Sequence, residues 1–198
     1  MAEKNYKAST GVSEFYYGVV GDGITATEVE RVRYLQNITV EMGQEIVKAH
    51  GDNAVAEMAT SSGDITVSSQ FHKIPIEDKQ VLLGLETNNG LTAIGSSDNA
   101  PYVGVIFAKT FEDGSHEYVG LPKGIFTRPS IEGQTKEDGV EFSSEEMEAE
   151  FMDREVTGFE DDKSVIFAAD EKGETTNRDA LFLAIYGIPH PESVGDGA

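Results

Sequence analysis

Residues 143–156 read SSEEMEAEFMDREV, and the period assigned to this stretch decides the fold. Ser143 with Glu146 three residues on is a helix-start signature. The same residues also alternate strictly: Glu146, Glu148 and Glu150 against Met147, Ala149 and Phe151. On a helix, residues two apart point about 200° apart, so neither set would form a face. On a strand both sets line up, acids on one side and apolar groups on the other. The alternation predicts a strand over 141–156.

Working outward, most of the chain reads the same way. Residues 12–20 (VSEFYYGVV) are aromatic and β-branched throughout, as in a strand buried on both faces. Residues 21–23 make a turn. Over 28–42, Ile38, Val40 and Met42 alternate against Asn37, Thr39 and Glu41, with Val32 and Tyr34 continuing the parity. Segments 44–50 and 54–60 flank Gly51-Asp52-Asn53, a turn that predicts a hairpin. Its arms mix small apolar and charged residues and bury little, so it reads as an extended arm that finds its second face on a neighbour. Further strands are expected at 64–73, 102–110, 117–121, 123–128 and 164–169. Pro75, with Glu77 and Asp78 beside the positive end, opens a short helix that runs to Leu83 and is capped by Gly84. A C-terminal helix starts at Thr176 or Asn177, places Leu181, Ala184, Ile185 and Ile188 on one face, and stops at Gly187 before Pro189. The expected organisation is a polar arm over 1–10, one mainly-β sandwich or barrel over 11–188 with two short helices, and a loose tail over 189–198.

Composition narrows the chemistry. The 198 residues carry 15 Lys and Arg against 36 Asp and Glu, a formal charge of −21. A surface that negative repels phosphates and is a poor grasper of nucleic acid or anionic membrane. Between residues 132 and 174 there are 16 acids and 4 bases, net −12, more than half of the total. There are no cysteines, which excludes disulfide frameworks, thiolate metal sites and thiol nucleophiles. No apolar run reaches membrane-spanning length, and residues 1–7 (MAEKNYK) hold no signal-peptide core. The expectation is folding in a cytoplasm, or export without a cleaved leader.

Catalytic signatures are missing. Neither phosphate-loop pattern nor the GxSxG elbow occurs. His50, His72, His116 and His190 are scattered, and none stands at a metal-ligand spacing from another. Carboxylates abound, but no tryptophan is present to stack on a sugar. Glu160-Asp161-Asp162 and Asp170-Glu171 read as solvated acidic turns, because the calcium-loop pattern is absent. Asn37-Ile38-Thr39 fits a glycosylation sequon only by chance, within a strand. The expectation is no catalytic residue, no cofactor and no metal.

Several blocks, taken in order, carry a resemblance: DNAPYV (98–103), the hairpin ending YVGLPKG (118–124), QTK (134–136) and EF (141–142). Upstream VKAHGDNAVAEMA (47–59) and FHKIPIEDKQVLLGL (71–85), and downstream SVIFAADEKGETTNRDALFLAIYGIPHP (164–191), extend it over nearly the whole chain. The chain resembles the major tail proteins, the tail-tube subunits of long non-contractile bacteriophage tails, of the phi-thirteen type.

The resemblance implies two packed β-sheets flanked by a helix, hexameric rings, and rings stacked into a hollow tube through which DNA passes without specific binding. It also implies tape measure, tail terminator and distal tail proteins as partners, residence in the virion, and a passage through host cytoplasm during assembly. Under it, Glu146, Glu148 and Glu150 are candidates for the channel lining, with a solvated outer wall as the alternative. Val47, His50, Asp52, Asn53, Val55 and Met58 are candidates for contact between subunits or rings. Rival readings are a tailocin or secretion-type tube, a head-decoration or head–tail joining protein, and a carboxylate-dependent cell-wall hydrolase.

Overall fold

A computed structural model describes residues 6–20, 25–51, 54–131 and 143–193, with backbone alone for 49–51, 54–56 and 62. Among the described residues ten strands and two helices follow in order. They are β1 (Ser9–Val19), β2 (Val29–Val32), β3 (Leu35–Gly51), β4 (Ala54–Phe71), α1 (Ile76–Leu83), β5 (Glu86–Asn88), β6 (Leu91–Ala93), β7 (Val103–Phe111), β8 (His116–Phe126), β9 (Glu145–Met152), β10 (Ile166–Asp170) and α2 (Thr176–Tyr186).

Eight of the strands form one hydrogen-bonded sheet in the order β2-β1-β7-β8-β9-β4-β3, with β10 also on β8, while β5 and β6 pair by themselves. The sheet forks at β8. One edge of β8 bonds β7. The other edge is divided, since residues 116–120 bond β10 and residues 123–126 bond β9. Pro122 lies at the division, beside an irregularity in the β7 register between Val103 and Val105. A proline has no N–H to offer a ladder, so it is tolerated where pairing is already interrupted. The expected separate strands at 117–121 and 123–128 are therefore one strand running through Pro122.

The fork yields a trunk (β2-β1-β7-β8 with β10) and a branch (β9-β4-β3). The branch folds back over one face of the trunk, so that Phe15 of β1 meets Phe71 of β4 edge-to-face with ring centroids 5.0 Å apart. The resulting core joins Tyr17, Val105 and Leu121 of the trunk to Val67, Met147 and Phe151 of the branch, closed at one end by Leu82 and Leu83 of α1. The expected sandwich is thus present as two parts of one sheet. A second core on the trunk's other face packs Tyr16, Ile106 and Tyr118 against Leu181, Phe182, Ile185 and Tyr186 of α2. Residues 15–18 of β1, 103–108 of β7 and 118–122 of β8 are buried on both faces, which is why these strands read as continuous apolar runs there rather than alternating ones.

Polar ties fix α2. The Asp170 carboxylate accepts the backbone N–H groups of Asn177 (3.0 Å) and Arg178 (2.8 Å), satisfying donors that a helix start leaves open. Asp170 is 3% exposed, so it is a buried cap and not the solvated turn expected from sequence. At the other end Arg154 donates through Nη2 to the Ile185 carbonyl at 2.8 Å. Gly187 ends α2 at φ 70, where a Cβ would lie 2.9 Å from Thr25 Oγ1. The apolar face of α2 includes Phe182 and Tyr186 as well as the expected Leu181 and Ile185, with Ala184 and Ile188 partly buried against the same core.

Three further expectations are corrected. His190, placed in the loose tail, is fully buried with its ring 4.4 Å from Phe182 and 5.3 Å from Tyr16. Burial and the nearby Arg178 push its pKa down, and Nδ1 accepts the Glu192 N–H at 3.1 Å. Tyr34 does not continue the parity of Val32: it takes φ 66, is 74% exposed, and separates β2 from β3. The strand expected over 141–156 is β9, ending at Met152, with residues 141 and 142 outside the described ones.

Candidate functional site

The branch has one covered face and one open face. On β9 the two alternate without a break: Met147, Ala149 and Phe151 are buried, while Glu146, Glu148 and Glu150 are exposed. Register extends the open face across neighbouring strands, because antiparallel partners share a side. Glu150 stands in a row with Thr66 of β4 and Glu41 of β3 on one side and Ile125 of β8 on the other. Glu148 stands in a row with Ser68 and Thr39, and Glu146 with Gln70 and Asn37. A groove of about 270 Å³ crosses the middle, where Glu41, Glu148 and Glu150 meet the hydroxyl-bearing Thr39, Thr66 and Thr127.

Hydrogen bonds tie side chains of this face to one another. Ser68 Oγ donates to Glu146 Oε1, and Gln70 Nε2 donates to Ser144 Oγ at 2.7 Å. The Glu148 carbonyl accepts the Thr127 N–H at 2.8 Å, which extends the β8–β9 contact one residue past the strand end. Lys123, registered with Met152 at the end of the rows, turns its ammonium over the Tyr102 ring, 4.2 Å from the centroid. Glu145 differs from its neighbours. Burial pushes its carboxyl up, but Lys79 Nζ at 2.8 Å and the Ile74 N–H at 2.9 Å outweigh this and hold it below the usual carboxylate range. It ties the start of β9 to the entry of α1. Among the described residues, no group of three or more His, Cys, Asp or Glu could hold a metal ion.

The second feature is the far half of the β3–β4 hairpin. Pairing continues from Met42↔Ile65 outward to Gly51↔Ala54. At the point of departure Gly43 and Gly63 face each other so closely that a Cβ on Gly63 would lie 3.2 Å from the Gly43 backbone. Beyond it Ile46, Val47 and Met58 are 62%, 58% and 68% exposed. At about 3.3 Å per residue, residues 43–51 reach about 30 Å beyond the core. A bare two-stranded ribbon of this kind has marginal stability by itself. Of the hairpin candidates, Val47 and Met58 are described and solvent-facing. His50 and Val55 are paired through their backbones, and Asp52 and Asn53 lie outside the described residues. The three glutamates of β9 and the hairpin candidates are not one cluster: the first occupy the middle of the branch, the second its extension. Sequence reading missed that Glu41, Thr66 and Ser68 complete the acidic face. Their alternation was visible, but the register that aligns them was not.

The family model for the phage tail tube protein matches residues 12–180. The chain belongs to the phage tail tube protein family. It is a structural component of a phage tail, and no helix among its described residues is long and apolar enough to cross a membrane. No curated protein matches it in sequence. Among solved structures it is similar to the tube-terminating cap of the anti-feeding prophage, at 10% identity and TM-score 0.44, over 86% of this chain and 96% of that one. It is also similar to a chain of the sheath–tube complex of the extracellular contractile injection system PVC in its extended state, at 12% identity and TM-score 0.44, over 84% and 94%. A third likeness is to a chain of the anti-feeding prophage baseplate, at 7% identity and TM-score 0.46, over 83% and 97%.

Proposed function

We propose that six copies of this chain close head-to-tail into a ring, that rings stack into the tail tube, and that the open face of the branch lines the channel through which phage DNA passes. One observation carries this reading: β1, β7 and β8 at the centre of the trunk are covered on both faces, while the branch leaves bare a sheet face bearing Glu41, Glu146, Glu148 and Glu150. A conduit for a polyanion must not hold its cargo, and carboxylates repel phosphates. At physiological salt that repulsion fades over about 8 Å, so it coats the wall without filling the bore. The hairpin reaches a neighbouring subunit or ring, where its exposed edges and side chains find partners. The chain works by assembly, without catalysis or cofactor. It is made in the host cytoplasm and ends in the virion beside tape measure, tail terminator and distal tail proteins.

The test is E146K/E148K/E150K in the phage. Tubes form, because these side chains lie outside the core, but genome release slows in a salt-sensitive way and the channel retains DNA. A tube structure with the three side chains on its exterior would overturn the assignment.

A further inference from the structure

The hairpin arm is sorted by charge, and the sorting follows from the register. At the arm's base the extra residue of the bulge falls on β4, where Gly63 and Asp64 stand against Gly43 between the pairs Met42↔Ile65 and Gln44↔Ser62. β3 therefore keeps its alternation from the domain into the arm. Ile38 and Val40 pack against the subunit's own core, and the same side of β3 continues through Met42 and Ile46 to Lys48. Met58, registered with Lys48, joins that side from β4. The other side of β3 continues the open acidic face: Asn37, Thr39 and Glu41, then Glu45 and Val47, with Glu57 added from β4 by its register with residue 49.

One side of the arm thus carries three large apolar side chains, 56%, 62% and 68% exposed, one cation and, among the described residues, no carboxylate. The other carries Glu41, Glu45 and Glu57. A core face that outruns its own core exposes apolar surface that marks a contact. A chain of formal charge −21 repels a second copy at any face lined with carboxylates, and is attracted by one presenting a lysine among apolar groups.

We infer that the arm is two-sided in the assembled tube: Met42, Ile46, Met58 and Lys48 seat on a second copy of this chain, while Glu45 and Glu57 prolong the channel lining of Glu41. This rests on the tube reading and sharpens it, because it removes Val47 from the docking side and places it with the acids.

The experiment compares matched substitutions on the two sides in the full chain. I46E/M58E leaves a folded subunit with an unchanged thermal midpoint, since these side chains touch none of its own core, and raises the concentration needed for tube formation about 100-fold or more, as expected for two lost apolar anchors. V47E/A59E on the opposite side assembles at the wild-type concentration. The milder I46T/M58T shifts assembly in the same direction if the glutamates compromise folding. Assembly blocked by V47E/A59E but not by I46E/M58E, or by neither, overturns the sidedness while wild-type tubes uphold the tube reading. A wild-type chain that forms no tubes at any concentration overturns both.

Discussion

The trunk and the branch are built from one sheet yet solve opposite problems. The centre of the trunk, β1, β7 and β8, buries both of its faces, one under the branch and one under α2, and spends its sequence on aromatic and β-branched residues. The branch buries one face and leaves the other to solvent, so every second residue is released from packing and is free to carry charge. The difference shows where the two demands of a tail component are met. Stability is concentrated in the trunk, and surface chemistry in the branch. The branch also outruns the domain, which the trunk nowhere does among the described residues.

The largest test of this contrast strikes the trunk. Tyr186 is fully buried between α2 and β1–β7, and its hydroxyl donates to the Tyr16 carbonyl at 3.0 Å. Tyr186→Ala removes a large buried ring and leaves that carbonyl unpaired, with an expected loss of about 3–5 kcal/mol in urea denaturation. A loss under about 1 kcal/mol would mean that the α2 side of the trunk is dispensable, and the contrast would break. Next in size is a one-residue comparison on β9. Ala149 is 1% exposed and Glu148 lies in the open. Ala149→Glu forces a carboxyl into the core and costs about 3 kcal/mol, whereas Glu148→Gln changes stability by less than about 0.5 kcal/mol. Similar values at the two positions would remove the distinction between covered and open faces.

The smallest effect concerns the join between branch and α1. The Glu145 carboxyl sits below its usual value of 4.5 because the folded state favours its charged form. Its contribution is therefore fully present above about pH 4.5 and is lost as pH falls through the lower folded value. The side chain is 37% exposed, so solvent screening keeps the effect under about 1 kcal/mol. Comparing wild type with Glu145→Gln between pH 6 and pH 3, the wild type should lose more of its stability over that interval. Parallel curves would show that Lys79 and Ile74 add nothing to the join.

What was legible in the sequence follows the same division. Alternation in 143–156 reports one-sided burial directly, so β9 and its inward set were readable. The apolar run in β1 reports two-sided burial, and the glycines after α1 and α2 report helix ends in left-handed geometry. What stayed hidden depends on partners distant in the chain. Asp170 caps a helix that begins six residues later, and His190 is buried only because Tyr16 and Phe182 converge on it. Pro122 looked like a strand end, because only the division of β8 between β10 and β9 shows why pairing tolerates it. At the candidate site, Glu146, Glu148 and Glu150 were visible as a row. Their union with Glu41 required the register of β3, β4 and β9, which local pattern does not encode.

The fork at β8 also decides how the subunit carries load. Among the described residues, ladder bonds join branch to trunk only along residues 123–126, with the Thr127 amide extending the join by one bond. The trunk is braced by α2 and by the Arg154 tie to its last turn. Tilting the branch therefore strains one short seam beside a proline and slides apolar side chains over one another, while the helix-backed layer stays intact. In the proposed tube, bending that tilts the branch is expected to load that seam first.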